Sequence, residues 1–424
     1  MSRYRVLAIA EAANPEWVSV PLVGWSLAAA LRDVADVHIV TQIRNREAFL
    51  RAGLIEGEDF TAIDSEAFAR PMWALGEKLR MGQGKGWTMV QLMNALSYPY
   101  FERLVWTHFG AAIRGGAFDI VHRITPLSPT LSSPIAGKIA KAGVPFVLGP
   151  LNGGVPWPKS FDAERRRERE WLSYLRGVYK ALPGRGATLK HASALLAGSR
   201  YTASEIPDAH QGKVIYLPEN GIDPARFSGA AAPPEHGPLR ACFVGRMVPY
   251  KGPDMLIEAA KPLLDAGHMT LEMIGDGPLF EPLKSMNTPG VTWHGWTDHA
   301  EVQTILKTCH LMAFPSIREF GGGVVLEAMA LGVPPLIVDY AGPGELVCEN
   351  VGLKLPLGTR AEIIAAFRQE LTRLADDRGS LAKLGQNAQV HVQNHFTWAR
   401  KADQIAQTYD WVTKRSTKPR FFGP

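Results

Sequence analysis

The chain has 424 residues, of which 46% are hydrophobic and 21% charged, and its formal net charge is +5. This length predicts two domains, and the composition excludes an intrinsically disordered chain. No apolar run approaches the ~20 residues of a membrane span, and the three cysteines lie far apart without a C-x-x-C pair, so we expect a cytoplasmic protein without a disulfide framework.

The chain opens with a predicted β-α-β unit. Residues 6–10 form an apolar strand, residues 23–34 have helical spacing, and residues 37–40 form a second strand. This order implies a parallel sheet with helices on its faces.

Polar residues follow two later strands of this first sheet. His122 ends a strand predicted over residues 118–122, and Asn152 and Gly153 come soon after a strand predicted over residues 145–148. Ligands collect beyond the carboxyl ends of strands in open α/β sheets, so we expect these residues to face a cleft. A purely structural histidine at the end of a strand is the alternative for His122.

Two segments of the first half each allow two interpretations. Residues 71–118 are helical and rich in aromatic residues and methionine, which is typical of a core and also of a hydrophobic groove that receives a substrate. Residues 159–190 combine many cations with aromatic residues at helical spacing. This pattern fits packing against the protein's own domain, which the interleaved acids favour, and also peripheral contact with an anionic membrane at the inner face of the plasma membrane.

The second half restarts the alternation of strands and helices after a stretch rich in Gly, Ala and Pro at residues 229–238, which is typical of a linker. Strands are predicted over residues 239–244, 269–274, 291–294, 311–314 and 335–338, with a helix over residues 252–266. The second half therefore predicts another Rossmann-like domain.

The strongest local signal lies within residues 314–339. Gly321, Gly322 and Gly323 open an apolar run with helical spacing. A glycine turn that feeds a helix presents free backbone N–H groups at the positive end of the helix dipole, where a phosphate binds well. Glu319 and Glu327 bracket this turn, eight positions apart. Carboxylates accept hydrogen bonds from hydroxyl groups, so sugar hydroxyls carried beside the phosphate fit these two positions.

A second anion-binding signal is the segment GRMVPYKG, which places Arg246 and Lys251 between glycines at a strand-to-helix crossover. Two cations there can neutralise a diphosphate, and each charge-assisted hydrogen bond contributes ~1.5–3 kcal/mol. A solvated arginine and lysine on a surface loop is the alternative.

Two more short motifs are GDGP at residues 275–278 and VTWHGW at residues 291–296. Together, the four motifs resemble those of the retaining nucleotide-sugar glycosyltransferases of family 4. The match covers roughly residues 218–339, and the first half is similar by strand layout only. The resemblance implies the GT-B fold, an α/β fold of two Rossmann-like domains that face a central cleft. Its parts would be an acceptor-binding domain over residues 1–213, a nucleotide-sugar-binding domain over residues 214–396, and a C-terminal helix and tail over residues 397–424 that return to the first domain.

The resemblance also assigns roles toward a nucleoside-diphosphate sugar, with UDP favoured as the nucleotide. It implies that Arg246 and Lys251 hold the diphosphate, while Glu327 binds the ribose hydroxyls. Glu319 would contact the transferred sugar, and His122 would stand near it as a catalytic group. The backbone at Gly322, Gly323 and Val324 would also contact the donor. Trp296 would lie beside the base, and Asn152 and Gly153 would lie on the acceptor side.

The chain departs from the family pattern at two points. The family writes E-x-F-G, whereas here Phe320 directly follows Glu319, so the aromatic residue comes one place early. The family's first domain often has a strand that ends His-x-His, whereas this chain has His122-Arg123-Ile124. The second imidazole is therefore replaced by Ile124.

The sequence as a whole predicts a transferase that moves a hexose from a nucleoside-diphosphate sugar to a cell-envelope glycan or lipid, and the resemblance implies that it retains the anomeric configuration. No D-x-D carboxylate pair is present, so we expect no metal and no other cofactor, and we expect no nucleic acid partner. The alternatives are a sugar-nucleotide epimerase of the same fold and a non-catalytic sugar-nucleotide-binding protein. The pattern does not specify the sugar, the linkage or the oligomeric state.

Overall fold

The computed structural model describes residues 3–68, 70–71, 87–162 and 184–422, and these divide into two compact units. The first unit contains residues 3–68, 70–71, 87–154, 184–219 and 398–422, and the second contains residues 155–162 and 220–397. The division differs from the predicted boundary after residue 213. Residues 214–219 belong to the first unit, and the short segment 155–162 belongs to the second.

The first unit is built on a parallel sheet of seven described strands in the order β3-β2-β1-β4-β5-β6-β7. The order reverses between β1 and β4, which makes the sheet doubly wound. Its strands are β1 (Arg5–Ala10), β2 (Asp36–Gln42), β3 (Phe60–Ile63), β4 (Ile120–Thr125), β5 (Phe146–Leu151), β6 (Ala194–Ala197) and β7 (Val214–Tyr216).

Strand β1 illustrates why these segments form a buried sheet. Val6, Ala8 and Ala10 pack into one hydrophobic cluster, while Leu7 and Ile9 pack into another. Successive side chains of a strand point to opposite faces, so a strand that is apolar at every position must be covered on both sides.

Seven described helices of the first unit connect its strands. They are α1 (Val20–Val34), α2 (Arg46–Arg51), α3 (Trp87–Arg114), α4 (Ala136–Lys141), α5 (Arg185–His191), α6 (Arg200–Ser204) and α7 (Asp208–Gln211). Tyr98, Phe101 and Val105 of α3 are buried in the core, which accounts for part of the aromatic density. The described residues do not include residues 72–86 of that segment or most of the basic segment over residues 159–190. The groove and the membrane contact therefore stay predictions.

The second unit is built on a parallel sheet of six described strands in the order β10-β9-β8-β11-β12-β13, which reverses between β8 and β11. The strands are β8 (Leu239–Val244), β9 (Met269–Ile274), β10 (Val291–Gly295), β11 (Leu311–Phe314), β12 (Pro335–Val338) and β13 (Leu353–Leu355). The helices are α8 (Pro253–Asp265), α9 (Phe280–Lys284), α10 (His299–Leu306), α11 (Gly323–Ala330), α12 (Ala341–Leu346), α13 (Arg360–Asp376) and α14 (Gly379–His395).

The last helix, α15 (Trp398–Val412), belongs to the first unit and packs against α1. Its residues Ala402, Ile405 and Tyr409 join Leu27 and Leu31 of α1 in the core. The end of the chain therefore covers one face of the first sheet. None of the described helices combines the length and the apolarity needed to cross a lipid bilayer.

Candidate active site

The site lies at the carboxyl ends of two neighbouring strands of the second unit. Strands β8 and β11 pair in parallel where the strand order reverses, and ligands of doubly wound sheets bind in the crevice at such a point. The loops that leave the two strands are joined by hydrogen bonds. The Ile317 N–H donates to the Tyr250 carbonyl at 3.0 Å, and the Ser316 hydroxyl donates to the same oxygen at 3.3 Å.

This junction brings together Lys251 from the loop after β8 and Glu319 from the loop after β11. Lys251 Nζ forms an ion pair with Glu319 Oε2, and the two side chains are only 15% and 16% exposed. Burial lowers the pKa of Lys251 to about 7, whereas the neighbouring carboxylate favours the charged amine. The predicted diphosphate cation and the predicted sugar-binding acid are thus direct neighbours in this structure.

The glycine turn forms the third part of the site. Gly322 is the N-cap of α11 with a φ of 61°, and this left-handed conformation favours glycine. The N–H groups of Gly323 and Val324 donate to no acceptor in the described part of the chain. They therefore remain available to an anion at the positive end of α11.

We expect Gly322→Ala to destabilise the second unit by about 2 kcal/mol. A non-glycine residue in the left-handed region costs roughly 1–2 kcal/mol, and a Cβ at this position would lie 2.8 Å from Leu346 Cδ1. Gly323→Ala is the matched control, because its Cβ would meet the Asn220 side chain at an ordinary 3.6 Å. Thermal unfolding of both variants checks the prediction, which is wrong if the two melt at the same temperature.

Glu327 lies on α11, one turn beyond the glycines. Burial raises its pKa to about 7, and the charge of Arg226 acts in the opposite direction. Its carboxylate accepts no hydrogen bond from the described residues, so it can receive hydroxyl groups of a ligand. Arg226 and the nearby Asn220 were missed from the sequence, where residues 218–221 were interpreted only as a turn.

Arg246 and Trp296 follow β8 and β10. Arg246 is exposed, and its guanidinium has neither an ion pair nor a hydrogen bond with the described residues. Trp296 is 79% exposed, an unusually open position for a large aromatic side chain. Because β9 separates β10 from β8, Trp296 lies two strands away from the loop of Lys251. Both side chains are accessible, and their contacts with a nucleotide stay predictions.

The segment 155–162 packs against the loop after β11 that carries Glu319, a role that the sequence did not indicate. The Arg318 guanidinium lies over the rings of Trp157, Tyr250 and Phe320, at 5.3, 5.9 and 5.2 Å from their centroids. Phe320 is the aromatic residue that comes one place early in the motif, and here it packs against this cation. The aromatic contacts therefore hold the backbone on both sides of Glu319.

The structure contradicts the expectation that His122 faces a cleft as a catalytic group. Its side chain is fully buried on the face covered by α15, as are those of Ile120 and Ile124 on the same strand. Its Nε2–H donates to the Gly149 carbonyl at 2.7 Å, and its Nδ1 lies 2.7 Å from the Tyr409 hydroxyl. Burial lowers its pKa to about 4. Neither ring nitrogen is free for a substrate, because the alternation of β4 turns this residue into the core.

Asn152 and Gly153 lie just beyond β5 and are tied to the first unit. The Asn152 side chain accepts the Gly154 N–H at 2.8 Å. Gly153 N–H donates to the Thr202 hydroxyl at 3.0 Å. The two residues occupy the expected edge of the sheet, and their role toward an acceptor stays a prediction.

Comparison with known proteins identifies the segment that contains these motifs. Residues 230–391 match the family described as Glycosyl transferases group 1. The chain is 29% identical over 260 residues to a D-inositol 3-phosphate glycosyltransferase of Salinispora tropica, which covers 53% of this chain and 52% of that protein. It is 31% identical over 214 residues to a glycogen synthase of Mycobacterium tuberculosis, which covers 49% and 50%. The chain thus aligns with about half the length of these curated relatives.

Solved structures share the fold over nearly the whole chain. The Anabaena protein Alr3699/HepE, crystallised with UDP, has a TM-score of 0.61 at 17% identity and covers 95% of this chain and 99% of its own. Sucrose-phosphate synthase of Thermosynechococcus elongatus has a TM-score of 0.63 at 18% identity and covers 98% and 100%. The prediction of two Rossmann-like domains of the GT-B type is thereby confirmed. The chain has the fold of these two proteins, and its residues 230–391 match the glycosyl transferases group 1 family.

Proposed function

We propose that this protein transfers a hexose from a nucleoside-diphosphate sugar, with UDP as the favoured nucleotide, to a cell-envelope glycan or lipid with retention of anomeric configuration. The observation that carries the proposal is the junction of the loops after β8 and β11, which places Lys251 and Glu319 together beside the glycine turn of α11. Support also comes from the Anabaena protein of the same fold, which was crystallised with UDP-glucose.

In this proposal the second unit binds the donor through complementary charge. Lys251, Arg246 and the free N–H groups at the start of α11 bind the diphosphate, since charge-assisted hydrogen bonds to phosphate are the strong ones. Glu319 accepts hydrogen bonds from the sugar, and Glu327, whose carboxylate has no hydrogen-bond partner among the described residues, accepts them from the ribose.

The same groups promote the chemical step. Cleavage of the bond between the sugar and the phosphate passes through an oxocarbenium-like state, in which negative charge grows on the departing diphosphate. Fixed positive groups aimed at that charge stabilise the transition state more than the ground state. The acceptor hydroxyl attacks the anomeric carbon on the face from which the diphosphate leaves, which retains the anomeric configuration, and its proton passes to the departing diphosphate oxygen. The buried His122 takes no part in this step.

A thermal-shift screen with UDP, GDP, ADP and their glucose conjugates tests the proposal. A ligand at 100 times its Kd adds about 2.7 kcal/mol to the free energy of unfolding, so the matching nucleotide sugar raises the melting temperature by several degrees. Glu327→Ala is expected to abolish this shift without changing the melting temperature of the free protein. The proposal fails if none of the six compounds has an effect.

Product analysis then separates the three classes of function. A transferase slowly hydrolyses the donor when no acceptor is present, an epimerase returns a nucleotide sugar of altered configuration, and a non-catalytic binding protein leaves the donor intact. Chromatography of the reaction mixture distinguishes these outcomes. Recovery of intact donor after prolonged incubation contradicts a transferase.

A further inference from the structure

We propose that Glu319 is a specificity-determining residue that makes the site favour the intact donor over the nucleoside-diphosphate product, through an exchange of ion-pair partners at Lys251. The inference rests on the proposed function and concerns the step that follows transfer. Its basis is that the structure joins, in one ion pair, two side chains for which the reaction requires different partners.

The ion pair occupies a largely enclosed position. Lys251 and Glu319 are 15% and 16% exposed, and Lys251 Nζ also lies 5.2 Å from the centroid of the Phe314 ring. Water can compensate little for the loss of a partner at such a position. A buried charge that loses its counter-ion is strongly destabilised, so neither side chain can be left alone when a ligand enters.

The backbone around Glu319 is fixed, which limits how its carboxylate can respond. The carbonyl of Glu319 accepts the Gly342 N–H at 3.1 Å, and the neighbouring Arg318 and Phe320 pack against each other. Lys251 has a longer and more adaptable side chain. The lysine is therefore the partner that turns toward a phosphate, while the carboxylate stays where it is.

The two ligands then differ in what they offer to Glu319. A nucleoside diphosphate takes the ammonium of Lys251, leaves the carboxylate without a partner, and adds a like charge close to it. A nucleoside-diphosphate sugar takes the same ammonium, but its sugar hydroxyls donate to the carboxylate. After the sugar has been transferred, Glu319 loses these donors and competes with the diphosphate for Lys251. The ion pair thus favours binding of the donor and release of the product.

Isothermal titration with UDP and UDP-glucose tests this exchange in the full-length protein. Glu319→Gln keeps the shape and the capacity to bond hydroxyls but removes the charge that competes for Lys251. We expect the Kd for UDP to fall about tenfold, which corresponds to ~1.4 kcal/mol, while the Kd for UDP-glucose falls less or rises. The ratio of the Kd for UDP to the Kd for UDP-glucose therefore becomes smaller. Glu349→Gln, at an exposed position of the same unit, is the charge-matched control and should change neither constant.

A double-mutant cycle with Lys251→Met distinguishes an effect that acts through Lys251 from a general effect of the substitution on folding or on charge. In the Lys251→Met background there is no ammonium to exchange, so adding Glu319→Gln should tighten UDP binding much less than it does in the wild-type protein. The inference is overturned if Glu319→Gln weakens UDP binding, leaves it unchanged, or changes the Kd for UDP and the Kd for UDP-glucose by the same factor. If the wild-type protein binds neither UDP nor UDP-glucose, the UDP-sugar donor is wrong as well, and that result is distinct from binding without a change in selectivity.

Discussion

Replacement of Lys251 by alanine is expected to lower kcat/KM for the donor by about 10²–10³-fold. Loss of one fixed donor at a site where negative charge develops typically costs ~2.7–4 kcal/mol of transition-state stabilisation. The effect should be this large because the side chain is only 15% exposed, so water cannot replace the ammonium. Steady-state kinetics with the donor that the thermal-shift screen identifies measures the change.

The way this loss divides between kcat and KM is informative. Lys251 meets the diphosphate in both the ground state and the transition state, but the charge it faces grows as the bond breaks, so kcat should fall more than KM rises. Lys261→Ala is the control, because Lys261 is 57% exposed and forms a surface pair with Asp265, a kind of pair that contributes little. A wild-type rate for Lys251→Ala would refute the proposed role of this loop.

Replacement of His122 by alanine is expected to destabilise the first unit by about 3 kcal/mol or more while leaving turnover by the folded protein largely intact. The substitution leaves a cavity and deprives the Tyr409 hydroxyl and the Gly149 carbonyl of their partners, and each unsatisfied buried group costs ~1–3 kcal/mol. Thermal unfolding and donor turnover below the transition are the measurements. His108→Ala is the control, since that histidine is exposed on α3.

The same variant should show an altered response to acid. Burial lowers the pKa of His122 from 6.5 to about 4, so between these values the unfolded chain binds a proton that the folded chain does not. The contribution of His122 is therefore fully present above pH 6.5 and is lost as the pH falls toward 4, by about 3 kcal/mol in total. His122→Ala should lack this component. A turnover rate that collapses in a variant that is still folded would instead restore a catalytic role for His122.

The local pattern of the sequence was sufficient for the strands of the second unit. The predicted bounds of β8, β9, β11 and β12 coincide with those in the structure, because short apolar runs between turn residues specify buried strands. The glycine turn was predictable for the same reason, since the conformation of Gly322 and the start of α11 depend on neighbours in the chain. From the order of strands alone, Lys251 and Glu319 could be placed at one edge of the sheet.

Contacts between distant parts of the chain decided the rest. His122 and Tyr409 are separated by 287 positions, so no local pattern could indicate that the last helix closes over this histidine. The packing of Trp157 against Tyr250 and Arg318 likewise takes a segment of the first half into the second unit. The sequence by itself determined the two sheets and the residues at their edges, because periodicity and turn chemistry are local. Only the tertiary structure decided which of those residues remain accessible to a ligand, because their burial and their pairing depend on which distant parts of the chain pack against them.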